Sequence, residues 1–174
     1  RRYHLAGTMH GRGNFPPETI RAMDGLKGQL PYNSVDYSPL MRAALINLDR
    51  WVSGEAPAPD SLHPSLDKGT AVESRTLKQK FDRIPGVDSP PQVTRAMNLD
   101  FGSEVSQGRT LTLPPEHGDE YPALVSDVDE DCNEIGGIRL PDLTVPLATY
   151  TGWNLRHPDN GNPGLVIGIT GGLA

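Results

Sequence analysis

Cysteine is almost missing from this chain: Cys132 is the single one among 174 residues. No disulfide can close within the chain, no cysteine-based metal site can be assembled from it, and its lone thiol names no redox compartment. Aromatic residues are scarce, at 6 %. No run approaches the roughly 18 consecutive apolar residues of a membrane-spanning helix, so no membrane span is expected. Cations are outnumbered, 16 Lys and Arg against 22 Asp and Glu, for a net charge of −6. That balance argues against nucleic acid or an anionic membrane as the main partner, because both are held by basic patches. Apolar residues reach only 36 %, below the usual share of about 45–50 %.

What the chain has in excess is glycine and proline, 19 and 17 residues, well above the usual combined share of about 12 %. Long loops around a thin core are therefore expected. The length suggests one domain, with room for a small second lobe. The chain opens Arg1-Arg2 with no methionine, on what reads as the inside of a strand. An internal start of that kind is expected of a fragment, a processed product or an open-ended reading.

Along the chain, Tyr3/Leu5 and His4/Ala6 alternate, which predicts a short strand over 2–6. A Gly-, Pro- and Asn-rich loop follows to about Tyr37, with at most a helical turn near 18–24. The spacing of Leu40, Met41, Ala44, Leu45, Leu48, Trp51 and Val52 predicts an amphipathic helix over 39–53. Ser38 suits its N-cap, Pro39 its first position and Gly54 its C-cap. Its apolar face, Trp51 included, is expected in a core, although the chain offers no obvious sheet for it to cover. Residues 55–93 read as irregular, and 71–81 fit a strand or a brief helix equally. Strand alternation recurs at 109–113. Residues 121–128 and 134–140 predict a β-hairpin with an acidic tip at 129–133. Residues 143–151 are strand-prone, with Pro146 favouring an edge or a bulge. After Trp153 the tail reads as loop with a short apolar piece at 165–169.

His10 is the first candidate for chemistry. It sits in a glycine-framed loop, Gly7-Thr8-Met9-His10-Gly11, just past the predicted strand. A general base of acyl-transfer chemistry needs such a place, within reach of a nucleophile and mobile enough to pass the proton on. A loop histidine bonded only to backbone is the plainer alternative. No Gly-x-Ser-x-Gly nucleophile turn occurs in the chain. His4, inside the predicted strand, reads as a buried structural histidine; a His4/His10 metal pair would lack a third ligand. His63, His117 and His157 read as solvated. Asp127-x-Asp129-x-Asp131-x-Asn133 begins like a calcium loop but has Cys132 where glycine is needed and Ile138 where glutamate is needed, so an acidic turn is expected. Tyr150 and Trp153 could anchor a C-terminal strand or line a pocket.

Three stretches taken together are distinctive: Tyr3 to Gly11; Asn33-Ser34-Val35-Asp36-Tyr37-Ser38-Pro39-Leu40-Met41-Arg42-Ala43-Ala44-Leu45 with Leu48-Asp49-Arg50-Trp51-Val52; and Tyr121-Pro122-Ala123-Leu124-Val125 through Asn133-Glu134-Ile135-Gly136-Gly137-Ile138-Arg139-Leu140-Pro141 to Tyr150-Thr151-Gly152-Trp153-Asn154-Leu155-Arg156. This resembles the C-terminal part of a bacterial family of α/β-hydrolase-domain proteins, over nearly the whole chain. The resemblance implies serine-esterase logic, a longer full protein and a nucleophile and acid upstream. His10 matches the histidine of the family's Gly-Thr-x-His-Gly loop and would be the triad base. Cys132 departs from that family's pattern, which has glycine at the tip.

The expectation is therefore an α/β fold. It would be the C-terminal fragment of an α/β-hydrolase (last strand, His10 loop and final helix in 1–55), followed by a loop-rich extension with short β-strands in 56–174. His10 is the expected catalytic residue, with no cofactor and no metal. The partners expected are a small-molecule ester and the upstream part of the same polypeptide. The alternative is a non-catalytic structural or interaction module on a hydrolase-like scaffold.

Overall fold

Pro39 and the apolar spacing behind it produce the one long element among the described residues, helix α1 (Ser38–Val52). The computed structural model describes residues 1–91, 93 and 95–174; Gln92, within the stretch expected to be irregular, lies outside them. The helix begins one residue earlier than its spacing suggested. Tyr37 takes the cap position, and Asp36 receives the exposed N–H of Ser38 at 2.9 Å, doing from two residues away what the Ser38 hydroxyl was expected to do. Gly54 follows the helix in the left-handed conformation, φ 79°, as the C-terminal stop.

No residue of α1 is buried. Leu45 is 68 % and Trp51 52 % exposed, so the expectation of a core Trp51 is corrected: the amphipathic face forms but nothing among the described residues covers it.

The remaining elements are short. Residues 71–81 hold both structures that their sequence fits, strand β1 (Ala71–Glu73), then a 3₁₀ turn (Ser74–Leu77), then the single helical turn α2 (Lys78–Phe81). Strands β2 (Met97–Asp100) and β3 (Glu116–Glu120) pair antiparallel, with a register shift between Met97 and Leu99. The alternating 109–113 stretch is not the strand; the N–H groups of Leu111 and Thr112 both turn back onto the carbonyl of Phe101, at 2.9 and 3.1 Å. Strand β4 (Leu124–Ser126) pairs with β1, placing Val72 opposite Val125. The arm expected to close a long hairpin is thus used elsewhere. The hairpin is tied only near its tip, by a Val128/Glu134 bridge, by 2.9 Å bonds from the Asp129 N–H to the Asn133 carbonyl and from the Ile135 N–H to the Asp127 carbonyl, and by the Gly136 N–H on Ser126 Oγ. Cys132 stands in this turn at φ 57°. Pro141 starts a helical turn, α3 (Pro141–Thr144), which takes the first two residues of the 143–151 stretch expected as strand; strand pairing in that stretch is confined to Tyr150, bridged to Leu173.

Residues 2–6 are extended but form no ladder. Tyr3 bridges Leu62 and Leu5 bridges Ile138, both in parallel. The bonds are His4 N–H to Leu62 O at 2.9 Å, Ile138 N–H to His4 O at 2.7 Å and Ala6 N–H to Ile138 O at 3.0 Å. Pro59 and Pro64 flank the first partner, and Gly136-Gly137 and Pro141 flank the second, so neither can lengthen into a strand. The C-terminal tail lies deeper than a loop would. It bridges Tyr32 through Gly172 and Leu155 through Val166, and Ile167 is buried.

Buried apolar side chains gather in two clusters among the described residues. One holds Leu30, Leu77, Phe81, Val87, Val128 and Cys132; the other holds Ala6, Val35, Leu143 and Tyr150. With so little regular structure, side-chain amides replace ladder partners. Asn33 donates to the carbonyls of Gly7 (2.8 Å) and Thr151 (3.1 Å) and accepts from the N–H of Val35 (2.9 Å). Asn133 accepts from the N–H of Tyr150 and donates to the carbonyl of Ala148, at 2.8 and 3.0 Å. Asn154 does both with Leu30, at 3.2 and 2.9 Å. All three are essentially inaccessible to water, where an unpaired backbone group is costly.

Candidate functional site

The extended segment at 2–6 ends in Gly7, whose φ of 63° turns the chain into the His10 loop. A side chain there would be strained and would also meet Leu143, which a Cβ would approach to 2.5 Å. The loop backbone is held from several directions. Glu134 accepts the Gly7 N–H at 2.7 Å, Asn33 takes the Gly7 carbonyl, and Thr8 Oγ1 donates to the Leu5 carbonyl at 2.8 Å. The Tyr37 hydroxyl donates to the carbonyl of His10 at 2.6 Å. Gly13 then passes so close to Ser34 and Val35 that a Cβ would fall 2.1 Å from the Ser34 carbonyl carbon. The loop and the segment leading into α1 are thereby packed backbone to backbone.

His10 itself is exposed, and its ring has no hydrogen-bond partner among the described residues. It lines an open cleft of about 550 Å³ with Thr8, Met9, Tyr37, Met41 and, notably, His4 and Glu134. Asp24 and Asp36, two of the acids that follow His10 in sequence, are engaged elsewhere: Asp24 with Arg21 and Asp36 with Ser38. The Ser38 hydrogen bonds hold the Asp36 carboxyl below the usual carboxylate range.

His4 is not the buried structural histidine that strand alternation predicted. Its side chain keeps 35 % of its surface and its Nε2 lies 2.9 Å from Glu134 Oε2. The hydrogen bond to Glu134 lifts the His4 pKa above its ordinary value, against the opposing effect of burial. Glu134 thus binds His4 and Gly7 at once and is a central residue of the cleft. Sequence reading passed over it, since it lies 127 residues from Gly7 and belongs to no local motif. Tyr150 bridges the C-terminal tail at Leu173, and both Tyr150 and Trp153 line an adjoining cavity.

The acidic turn is structural in its contacts. Lys80 reaches Asp127 at 2.6 Å, and Arg139 reaches Asp129 at 2.7 Å. Among the described residues no three His, Cys, Asp or Glu side chains gather as a metal ion would require. No helix among them is long and apolar enough to cross a membrane. The cleft therefore offers an unengaged imidazole on a pinned loop beside a carboxylate-bound imidazole. Both are groups suited to accepting and returning a proton.

No curated protein and no solved structure matches the chain. A protein-family model described as alpha/beta hydrolase domain matches residues 1–172. With mixed helices and strands, a glycine-framed histidine loop and a match over nearly its whole length, the chain belongs to the alpha/beta hydrolase domain family.

Proposed function

We propose that this chain supplies the triad histidine of a serine hydrolase acting on carboxylic esters, with nucleophile and acid on residues upstream of it. The observation that carries this reading is His10: a ring with no partner among the described residues, facing an open cleft, on a loop whose backbone is fixed by Glu134, Asn33 and Tyr37. In the reaction, His10 takes the proton of a serine hydroxyl as its oxygen attacks the ester carbonyl. It hands that proton to the departing alcohol, then activates the water that releases the carboxylic acid from the acyl-enzyme. Without nucleophile and oxyanion hole, the 174-residue chain alone is inactive in this scheme. The uncovered apolar face of α1 supports the proposal, because a hydrolase core lying outside this chain would bury it.

The test is His10→Ala in the full-length protein, with short p-nitrophenyl esters. The expected result is a fall in kcat of roughly 10⁴-fold or more, with KM little changed. Hydrolysis at the wild-type rate overturns the assignment. A second reading is favoured by one specific contact: His4 has the carboxylate partner that His10 lacks, in the same cleft. Glu134 on Nε2 would then leave Nδ1 to act as base. If His4→Ala rather than His10→Ala abolishes turnover, the pair His4–Glu134 is the base.

A further inference from the structure

A second cavity, of about 600 Å³, shares Glu134 and Gly152 with the histidine cleft. Its inner wall is made by Leu77, Phe81, Val125, Val128, Cys132 and Trp153. Four of these are buried, and the Phe81 ring meets Trp153 edge-on with centroids 5.5 Å apart. Two polar side chains of the lining, Ser126 and Thr151, are already committed. Ser126 Oγ donates to the Asp127 carbonyl and accepts from the Gly136 N–H, each at 3.0 Å. Thr151 Oγ1 donates to the Trp153 carbonyl and accepts from the Gly172 N–H at 2.9 Å. The Tyr150 hydroxyl and the Trp153 indole N–H also line the cavity and have no hydrogen-bond partner among the described residues, but most of the interior offers only dispersion and water exclusion, which suits a largely apolar chain.

The mouth has a different character. Arg75, Lys78 and Arg95 line it and are exposed. Each has a carboxylate neighbour, Glu73 at 2.6 Å, Asp82 at 2.8 Å and Glu120 at 3.5 Å, and none of those carboxylates lines the cavity. Exposed pairs of this kind hold weakly, so an incoming anion can compete for the cations. Glu134, the one acid in the wall among the described residues, is tied to His4 and Gly7.

We propose that this cavity binds an aliphatic carboxylate, its chain against the Phe81–Trp153 wall and its head at the Arg75/Lys78/Arg95 mouth. The site stands on its own geometry and does not require His10 to be catalytic. If the ester reading also holds, the acid that such a hydrolase releases belongs to the same chemical class.

Two tryptophans make the test direct. Trp153 is in the cavity wall and Trp51 is exposed on α1, so Trp51→Phe leaves one reporter. Chain-brominated alkanoates of increasing length are titrated against this variant, and indole quenching is read. Saturable quenching is expected, with affinity rising roughly fourfold per added methylene, the equivalent of burying one CH₂ at about 0.8 kcal/mol, until the cavity is full. The methyl ester of the same chain should bind several-fold more weakly. Arg75→Gln, Lys78→Gln and Arg95→Gln together should bring the carboxylate down to the ester's affinity and leave the ester unchanged. Val125→Phe should block both probes; Val166→Phe, at the more exposed edge of the cavity, serves if the first variant fails to fold. Absence of saturable quenching, affinity independent of chain length, or equal binding of acid and ester would each overturn the proposal. None of these readouts depends on turnover, so the site and the catalytic reading fail separately.

Discussion

Replacing Asn33 by alanine removes three hydrogen bonds at once, to Gly7, Thr151 and Val35. Asn33 is 1 % exposed, so the abandoned backbone groups face protein rather than solvent. Each such group costs about 1–3 kcal/mol when left unpaired. Some of the vacated space will admit water, so a total of roughly 3–6 kcal/mol is expected, against a whole-domain stability of about 5–15 kcal/mol. In urea, with a slope of about 2 kcal/mol per molar, the midpoint should fall by roughly 1.5–3 M. Asn14→Ala is the control: Asn14 is exposed, and its loss should stay within about 0.5 kcal/mol. Asn33→Asp sharpens the experiment. At neutral pH it sets a carboxylate against two carbonyl oxygens and should destabilise at least as much as alanine, whereas acid should restore part of the loss by giving the carboxyl a proton to donate. If Asn33→Ala unfolds within about 1 kcal/mol of wild type, the amides are not acting as ladder substitutes and the account of this fold is wrong.

Further expectations concern Glu134 and Cys132. Because Glu134 raises the His4 pKa on folding, the stabilisation is complete below the ordinary imidazole value of about 6.5 and fades as pH rises through the raised folded value. Glu134→Gln should therefore flatten the urea midpoint between about pH 6 and pH 8, where wild type declines; parallel profiles would rule the coupling out. Cys132 is buried and left-handed, φ 57°. Alanine there loses the sulfur and keeps the strain, which runs to about 1–2 kcal/mol, whereas glycine is free of it. Cys132→Gly should consequently melt about 2–4 °C above Cys132→Ala, the reverse of the usual order, and a calorimetric scan that ranks alanine higher refutes the argument.

Helix α1 was legible because its signals are local: a proline near the start, apolar residues at helical spacing and a glycine at the stop. Residues 71–81 were legible as an ambiguity, and the structure uses both conformations in succession. Strand β3, Glu-His-Gly-Asp-Glu, carries no strand propensity and buries nothing, so no pattern announces it. The segment 2–6 alternates like a strand, yet its partners arrive one residue at a time. His10 could be nominated from its loop. The environment of His4 could not, because it depends on Glu134, and the roles of Asn33, Asn133 and Asn154 depend on backbone groups brought in from other parts of the chain. Alternation reports which side chains share a face. It carries no information about which amide will stand in for a missing neighbour.

Those distant stitches also bear on how the chain folds. Glu134 reaches Gly7 across 127 residues, and Asn154 reaches Leu30 across 124. Closure entropy grows only logarithmically, about 0.6 kcal/mol for each doubling of the loop, so the first long closure bears most of the cost and shortens the loops left for the rest. Helix α1 can fray and re-form by itself, since no buried side chain anchors it. Everything joined by the asparagines and Glu134 should assemble late and together, with little partial order on the way. A protein so poor in sheets and long helices is thereby made cooperative by a few polar side chains, of which Asn33, Asn154 and Glu134 each act over more than half the chain.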